Sequence, residues 1–395
     1  MAINKFKNIL LNALVFILSF VLHKEKRVIL VGAWMGKKFA DNSRFLFQYL
    51  HENKEALHLK KVIWVTRSIQ IKSELEKLGY DCVLIGTWDS FYWHCKAGVH
   101  ILCNVISNSW NYDPDIDVSL SAGSKRVQLW HGNGVKCVPG GKRTSNKIKS
   151  FWRKITSQGC WYIDNYYLLC KSDLDFFFFQ KKFCVSIDSC IDGSYPRVCP
   201  CVEYLDGEKK VIEDFKSYDK IILYLPTFRK NYDNYINPLS CHGVLPYIEE
   251  HGILWIEKPH TADANGATVS NMNNKHILTL NSNFDINVIL PKIDLLVTDY
   301  SSVMLDALFY KKQIVYFAPD FDYFMNNDRG VIIDLDLISI NPIIRSGNDI
   351  LEGIKSALSK TEYGNRELSI RKMFWKYEDW DYQDIWKAII NKIYQ

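Results

Sequence analysis

The sequence predicts an α/β protein of two doubly wound domains, each built on a parallel β-sheet. From residue 27 onward, short apolar runs alternate with helical segments; the composition turns polar and charged at 200–220, and a second alternation then begins. Such alternation is typical of parallel sheets covered by helices on both faces. With 395 residues, the chain is long enough for two domains of this kind.

The N-terminal segment, residues 1–26, differs from the rest of the chain. Basic residues flank an apolar run from Ile9 to Leu22 on both sides. This run is shorter than the ~20 residues that a spanning helix needs, and no cleavage site of a signal peptide follows it. We therefore expect a helix that lies on an anionic membrane surface with its lysines among the headgroups. A plain buried helix is the alternative.

The first predicted domain covers residues 27–205. Apolar runs predict its strands, and the polar-capped segments between them predict its helices. Strands are predicted at Val28–Val31, Val62–Val65, Cys82–Ile85, Val99–Cys103, Val127–Leu129 and Tyr167–Leu169. Helices are predicted at Ser43–Glu52, with Asp41 or Asn42 near the cap, and around Ser73–Leu78.

The second predicted domain covers residues 206–372 and repeats the pattern. Strands are predicted at Ile221–Leu225, Ile253–Ile256, His276–Leu280, Leu295–Val297 and Ile314–Phe317. A helix at Val303–Phe309 follows the fourth of these strands, with Ser301 and Ser302 as N-cap residues. Residues 373–395 predict a C-terminal helix packing across the domains. Two such domains in tandem predict a ligand cleft between them, at the carboxyl ends of the strands.

Composition excludes several classes of protein. The net charge of +5 suits an anionic membrane surface or a phosphorylated substrate, but it is too small to indicate a nucleic-acid partner. No glycine-rich dinucleotide fingerprint, P-loop or nucleophile-elbow motif is present, which argues against NAD enzymes, P-loop ATPases and α/β-hydrolases. The eleven cysteines include no CxxC pair, so no metal ligands are predicted.

A histidine follows the last-but-one predicted strand of the first domain. Trp130, His131 and Gly132 begin a turn that contains glycines. An imidazole at a strand end is suited to act as a general base because its pKa lies near neutrality. The glycines leave room for a ligand to approach the backbone. A structural histidine packed beside Trp130 is the alternative interpretation.

Further polar clusters follow strands of the second domain. The candidates are Arg229, Lys258, His260, Thr298, Asp299, Ser301 and Ser302. Arg229 could bind a phosphate bidentately, and Lys258 with His260 suits a leaving group that gains negative charge. The helix N-terminus at Ser301 and Ser302 is an anion site. Solvated loops and an ordinary capped helix are the alternatives.

The ordered set Trp-His-Gly-x-x-x-Lys, Pro-Thr-Phe-Arg, Lys-x-His and Thr-Asp-Tyr-Ser-Ser resembles the CDP-glycerol glycerophosphotransferase family. These motifs occupy residues 130–136, 226–229, 258–260 and 298–302. The resemblance extends to Phe39–Ser43, Gly193–Arg197 and Asp328–Gly330, and it covers residues 28 to 335.

The resemblance implies a GT-B architecture, with CDP-glycerol held by the C-terminal domain and the acceptor by the N-terminal domain. It implies transfer of glycerol phosphate to a hydroxyl of a membrane-linked saccharide or polyol-phosphate acceptor, with release of CMP, in teichoic acid or capsule polymer synthesis. Peripheral attachment to the cytoplasmic face of the bacterial cell membrane is also implied. The chain length favours a primase or short-chain polymerase, and Mg²⁺ is left open as a cofactor because no carboxylate cluster is visible.

Site residues follow from the resemblance position by position. His131 matches the family's general base and His260 its second essential histidine. Donor and phosphate binding is expected from Arg229, Lys258, Thr298, Asp299, Ser301 and Ser302. Acceptor-side or supporting roles are expected from Trp130, Gly132, Asn133, Lys136 and Asn42.

Two departures from the family pattern leave alternatives open. Asn133-Gly134-Val135 stands where the family usually has Thr-Pro-Leu, and Thr261 follows the second histidine where the family usually has proline. Both departures lie beside the chemistry, so the acceptor and the polyol of the donor stay open. CDP-ribitol, a nucleotide-sugar glycosyltransferase and a non-catalytic membrane-associated assembly factor are the alternatives.

Overall fold

A computed structural model describes two compact units. The first comprises residues 1–131, 140–203 and 376–395, and the second comprises residues 132–139 and 204–375. The described residues are 22–104, 114–121, 123–132, 166–183, 185–227, 236–258, 274–327 and 330–395, with Leu10, Leu14, Ile17, Leu18 and Ile148.

The first unit is built on a seven-stranded sheet in which every neighbouring pair is parallel. The strand order is β3-β2-β1-β4-β5-β6-β7. The strands are β1 (Glu25–Gly32), β2 (Lys61–Thr66), β3 (Cys82–Leu84), β4 (Ala97–Leu102), β5 (Lys125–Gln128), β6 (Tyr166–Cys170) and β7 (Cys190–Asp192). The connecting helices are α1 (Asp41–Glu52), α2 (Ile69–Lys77), α3 (Trp88–Lys96) and α4 (Asp173–Phe183).

The second unit repeats this design with a six-stranded parallel sheet of order β10-β9-β8-β11-β12-β13. Its strands are β8 (Lys220–Leu225), β9 (Ile253–Glu257), β10 (Ile277–Thr279), β11 (Leu295–Thr298), β12 (Gln313–Phe317) and β13 (Ile343–Ile344). Its helices are α5 (Asp206–Asp214), α6 (Val244–Glu250), α7 (Val303–Phe309), α8 (Phe321–Asn327), α9 (Leu335–Ile338), α10 (Ile350–Ser359) and α11 (Asn365–Phe374).

Both sheets are buried because helices cover their two faces. In the first unit, Val28, Ile63 and Ile116 belong to the apolar core between sheet and helices. In the second unit, Trp255 and Ile354 belong to the corresponding core. Strands buried on both faces need near-continuous apolar sequence, which is why the apolar runs located them. The prediction of two parallel-sheet α/β domains is confirmed.

A C-terminal helix, α12 (Tyr382–Tyr394), completes the first unit. The Tyr382 hydroxyl donates to the carbonyl of Pro200 at 2.7 Å. The Tyr382 ring also stacks on Tyr49 of α1, with 5.0 Å between ring centroids. The contacts described here bind this helix to the first unit; the idea that it packs across both domains stays a prediction.

Each sheet reverses its strand order at one point, between β1 and β4 in the first unit and between β8 and β11 in the second. Open α/β sheets bind ligands outside the carboxyl ends of the strands at such a reversal, because the helices diverge there to opposite faces. Of the predicted site residues that are described, Thr298, Asp299, Ser301 and Ser302 lie at such an end, that of β11, whereas Trp130 and His131 follow β5 and Lys258 follows β9. Asn42 lies near the start of α1, the helix that follows β1.

The predicted membrane-surface segment, residues 1–26, lies mostly outside the described residues. Within its apolar run, Leu10, Leu14, Ile17 and Leu18 are described; they are helical and 54%, 54%, 64% and 39% exposed. Their spacing places them along one face of a helix. In the part of the chain that the structure describes, no helix is long and apolar enough to cross a membrane.

Candidate active site

His131 lies just beyond the carboxyl end of β5, with its ring in contact with two indoles. The ring centroid is 4.7 Å from that of Trp130 and 5.4 Å from that of Trp34. Its Nδ1 lies 2.9 Å from the carbonyl oxygen of Cys103, at the end of β4. Since a carbonyl only accepts, Nδ1 carries the proton of the neutral ring. The lone pair of the neutral imidazole is therefore on Nε2, the nitrogen that a base uses.

The surroundings of His131 hold it in the neutral form. Burial, assisted by the positive charge of Arg197, lowers the pKa of His131 to about 4. The hydrogen bond to Cys103 acts in the opposite direction. The imidazole is therefore unprotonated near neutral pH, and a negative group brought to Nε2 would raise its pKa.

A buried ion pair supports the main chain at His131. The guanidinium Nη1 of Arg197 donates to the Asp41 carboxylate at 2.7 Å and to the His131 carbonyl at 2.9 Å. The side chains of Arg197 and Asp41 are only 2% and 6% exposed. Removing one partner of a buried ion pair typically costs about 3–5 kcal/mol, since the other charge stays desolvated.

Two amide side chains hold the turn that leads into His131. The amide nitrogen of Asn42 donates to the carbonyl of Trp130 at 2.9 Å, and its oxygen accepts from the Arg197 backbone N–H at 3.1 Å. The Gln128 carbonyl oxygen accepts from the backbone N–H of Trp130 at 2.9 Å. Asn42 therefore contacts the His131 turn through the main chain; its predicted supporting role stays a prediction.

Unusual backbone geometry is concentrated around this histidine. Trp34, Met35, Asp41 and Trp130 have φ values of 45°, 60°, 66° and 62°. Left-handed conformations cost non-glycine residues of order 1–3 kcal/mol each and persist where surrounding contacts enforce them, often at functional sites. Helix α1 begins at Asp41 itself, with Ala40 at the N-cap and no side-chain capping bond. The predicted start at Ser43 was therefore wrong by two residues, because the N-cap is Ala40, a residue type that carries no capping signal in the sequence.

Asp115 fixes the peptides that face His131 from β1 and β4. Its carboxylate accepts from the backbone N–H groups of Met35 at 2.8 Å, Cys103 at 3.1 Å and Asn104 at 2.7 Å. The loop carrying Asp115 approaches β1 closely, because a Cβ at Gly32 would lie 2.6 Å from the Asp115 carbonyl oxygen. Glycine at this position is therefore required for the loop that holds the Cys103 peptide.

In the second unit, Asp299 joins the ends of β8 and β11, at the reversal of strand order. Its carboxylate accepts from the backbone N–H of Thr227 at 2.9 and 3.0 Å, and from that of Tyr300 at 2.5 Å. The Thr298 hydroxyl donates to the carbonyl of Leu225 at 2.6 Å. These contacts make Thr298 and Asp299 supports for the strand-end loops; donor binding by them stays a prediction.

The side chain of Tyr300 holds the loop that follows β11 in place. Its hydroxyl donates to the Asp320 carboxylate at 3.1 Å, and its ring stacks on Phe324 with 4.0 Å between centroids. Ser302 occupies the N-cap position of α7, as predicted, but its φ and ψ of −64° and −11° are helical and its side chain makes no capping bond. The anion site predicted at Ser301 and Ser302 stays a prediction.

Lys258 follows β9, two strands away from Asp299 at the same edge of the sheet. Burial lowers the pKa of its ammonium group, and the Asp285 carboxylate opposes this shift. The preceding Glu257 is buried and accepts from Asn237 at 2.9 Å and from the Trp255 indole at 3.0 Å. The end of β9 thus carries a buried carboxylate held by two neutral donors, next to Lys258.

The structure describes only part of the predicted site. Trp130, His131 and Asn42 come together in the first unit, whereas Lys258, Thr298, Asp299, Ser301 and Ser302 lie along one sheet edge of the second. Gly132 directly follows His131 in the chain. Outside the described residues lie Arg229, His260, Asn133 and Lys136. Their roles stay predictions.

Sequence reasoning missed two charged residues at His131, namely Asp41 and Arg197. Both occur inside segments that resemble the family, Phe39–Ser43 and Gly193–Arg197. The family resemblance therefore includes both residues and could have pointed to them, but it gave neither of them a role. Among the described residues, no group of three or more His, Cys, Asp or Glu side chains is arranged to hold a metal ion.

Comparison with known families gives a match over nearly the whole chain. The family described as CDP-Glycerol:Poly(glycerophosphate) glycerophosphotransferase matches residues 14–387. These limits include every strand of both parallel sheets and the four motifs that carry the resemblance.

Individual relatives agree with this match. The chain is 22% identical to a teichoic acid poly(glycerol phosphate) polymerase of Bacillus spizizenii, over 89% of each protein. It is also 22% identical to a teichoic acid glycerol-phosphate transferase of Staphylococcus aureus, over 89% of this chain and 88% of that protein. A solved structure of the wall teichoic acid polymerase TagF superposes with a TM-score of 0.71 at 16% identity, covering 100% of this chain and 97% of that one. That similarity concerns the fold.

Proposed function

This chain belongs to the CDP-glycerol:poly(glycerophosphate) glycerophosphotransferase family, a family of enzymes, and we propose that it transfers glycerol phosphate from CDP-glycerol to an acceptor hydroxyl in teichoic acid or capsule polymer synthesis. The observation that supports this best is the His131 ring. Its Nδ1 is committed to the Cys103 carbonyl and its Nε2 is left as the basic nitrogen. Such a ring suits proton removal from a hydroxyl.

In the proposed reaction, the acceptor oxygen forms a bond to the β-phosphorus of CDP-glycerol. The bond from that phosphorus to the bridging oxygen breaks, and CMP leaves with the electron pair. Nε2 of His131 takes the hydroxyl proton. The negative charge of the arriving donor raises the pKa of His131 above the value of about 4 that it has without the donor. The base therefore becomes stronger when the donor is present.

The second unit is proposed to hold the donor in a GT-B arrangement. Asp299 and Thr298 hold the loops at the ends of β8 and β11, where open α/β sheets bind ligands. Arg229, His260 and the Ser301–Ser302 turn are proposed to stabilise the phosphoryl oxygens, since positioning and charge stabilisation are what a protein contributes most to phosphoryl transfer.

A panel of donors tests the reaction class. Purified protein and a crude lipid-linked acceptor are incubated with CDP-glycerol, CDP-ribitol or a UDP-sugar, and nucleotide release is measured. We expect CMP from CDP-glycerol in an acceptor-dependent manner. CMP release from CDP-ribitol alone would show that the donor carries ribitol and not glycerol. UDP release would show that the protein is a nucleotide-sugar glycosyltransferase. Ligand binding without turnover for every donor would indicate an assembly factor.

We also propose peripheral attachment to the cytoplasmic membrane face through the N-terminal segment. Its described residues Leu10, Leu14, Ile17 and Leu18 present an exposed apolar face, and Lys26 and Arg27 follow on the exposed start of β1. Apolar contact combined with basic residues is the pattern of helices that lie on anionic lipid.

Replacing Leu14 and Ile17 by aspartate is expected to reduce binding to phosphatidylglycerol vesicles about tenfold or more, because it places charge on the apolar face. Co-sedimentation measures this. Ile187→Asp is the matched control, since Ile187 is an isoleucine with 66% exposure elsewhere on the first unit. Equal sedimentation of the double variant and the wild type would contradict the proposed attachment.

A further inference from the structure

We propose that Arg197 is a positioning residue for the base, and that it fixes the direction of His131 Nε2 through the His131 carbonyl and the Asp41 carboxylate. This inference rests on the proposed function, in which His131 is the base. Arg197 lies in a short 3₁₀ turn after β7, Pro196–Val198, far along the chain from the residues that it contacts.

The contacts of Arg197 complement the one that holds the His131 ring. Arg197 Nη1 binds the His131 carbonyl at 2.9 Å, while the ring Nδ1 binds the Cys103 carbonyl at 2.9 Å. One bond fixes the main chain and the other fixes the rotation of the ring. Together they determine where Nε2 points, so the loss of either lets the base move relative to the hydroxyl that it deprotonates.

The turn before His131 needs this support because it is strained. Trp130 has a φ of 62°, which is left-handed for a bulky residue. The turn is therefore held from outside: Asn42 binds the carbonyl of Trp130 itself, and Arg197 binds that of the next residue, His131. Asn42 also accepts from the Arg197 backbone N–H at 3.1 Å, so both supports belong to a single network.

The guanidinium of Arg197 is itself held in place by the Tyr195 ring. Its guanidinium carbon lies 5.1 Å from the centre of the Tyr195 ring, a cation–π contact. The Tyr195 hydroxyl donates to the Asp175 carboxylate at 3.1 Å. Asp175 pairs with Lys171 at 3.5 Å, where the two side chains are 4% and 0% exposed. A buried network of this kind leaves the guanidinium little freedom to swing away from His131.

Arg197 also acts on His131 through its charge, an effect that a purely structural residue would not have. The Arg197 cation is the charge that lowers the pKa of His131. The other charged groups around His131 are Asp41, Asp115 and Lys38. The Asp41 carboxylate is bound to Arg197, and the Asp115 carboxylate accepts from the backbone N–H groups of Met35 and Cys103. The Lys38 ammonium lies 5.5 Å from the centre of the Trp34 ring. The Cys103 thiol stays neutral because burial raises its pKa.

Three variants separate positioning from charge. Arg197→Lys keeps the charge but cannot make both bonds with the same geometry, so kcat/KM should fall by about 10- to 100-fold with an unchanged acid limb of the pH profile. Arg197→Gln should show a similar fall and an acid limb shifted to higher pH, because the cation is gone. Asp41→Asn, which weakens the partner of Arg197, should give a smaller fall.

Arg126→Lys is the matched control. Arg126 is a buried arginine at the start of β5, the strand that leads to His131, and it donates to the Ser121 carbonyl at 3.3 Å. It should lose stability without loss of kcat/KM. If Arg197→Gln does not fold, Arg197→Lys and Asp41→Asn still decide the matter. Unchanged kcat/KM in folded Arg197→Lys, or an equal loss in Arg126→Lys, would overturn the inference.

The failure of this inference can be told apart from failure of the proposed function. If His131→Ala keeps normal turnover, the base assignment fails whatever Arg197 does. If His131→Ala is inactive while Arg197→Lys and Asp41→Asn turn over normally, only the positioning role fails.

Discussion

Replacing His131 by alanine is expected to lower turnover about a thousandfold, because a positioned general base contributes about 10²- to 10⁴-fold to a proton transfer. The affinity for CDP should stay at the wild-type value, since His131 belongs to the first unit and the donor is assigned to the second. Single-turnover kinetics and calorimetric titration with CDP measure the two effects separately.

His251→Ala is the control for this variant. His251 is an exposed histidine whose Nδ1 also lies against a main-chain carbonyl, that of Tyr247 at 3.0 Å, but it is at the end of α6. It should retain full turnover. The wild-type kcat/KM should also hold well below pH 6 and fall only towards pH 4, because His131 is unprotonated above a pKa of about 4. Normal turnover in folded His131→Ala would remove His131 from the mechanism.

Asp299→Ala is expected to lower the affinity for CDP more than tenfold and to destabilise the second unit. The buried carboxylate accepts from the backbone N–H groups of Thr227 and Tyr300. Alanine leaves both donors without this acceptor, and each unsatisfied buried group costs about 1–3 kcal/mol. The loops at the ends of β8 and β11 should then lose their arrangement. Calorimetry with CDP and urea unfolding measure the two effects.

Asp294→Ala is the control for Asp299. Asp294 also accepts from a backbone N–H, that of Ile221 at 2.8 Å, but at the opposite end of β8 and β11. It should lose some stability and keep its affinity for CDP. Asp299→Asn, which retains one acceptor oxygen, should lie between Asp299→Ala and the wild type. Wild-type affinity in Asp299→Ala would show that this strand edge does not support donor binding.

Apolar sequence was sufficient to place most of the sheets, because parallel strands are buried on both faces. The run at 295–297 predicted β11, and Val303–Phe309 is the helix α7 as predicted. The strands that escaped prediction, β7 and β13, have three and two residues. β3 and β10 also have three residues, but they lie within the longer, mainly apolar runs 82–85 and 277–280, whereas the apolar runs at β7 and β13 are only two residues long and cannot be distinguished from loops.

The site itself was only partly predictable. Residues that follow a strand, such as His131 and Asp299, can be located from the strand alone. Contacts between distant parts of the chain cannot: Arg197 and Asp41 are 156 positions apart and share a buried ion pair. Ser302 stands at the N-cap as predicted, but the sequence does not show that its backbone is helical and that its side chain makes no capping bond.

The most direct measurement of the proposed reaction is mass spectrometry of a lipid-linked acceptor after incubation with the purified protein and CDP-glycerol, beside the same reaction with His131→Ala. We expect the wild-type protein to add glycerol phosphate units to the acceptor and to form CMP in equal number. One added unit would indicate a primase and a ladder of units a polymerase. An acceptor of unchanged mass, or one that gains a sugar from a nucleotide-sugar donor instead, would contradict the proposed glycerophosphotransferase activity.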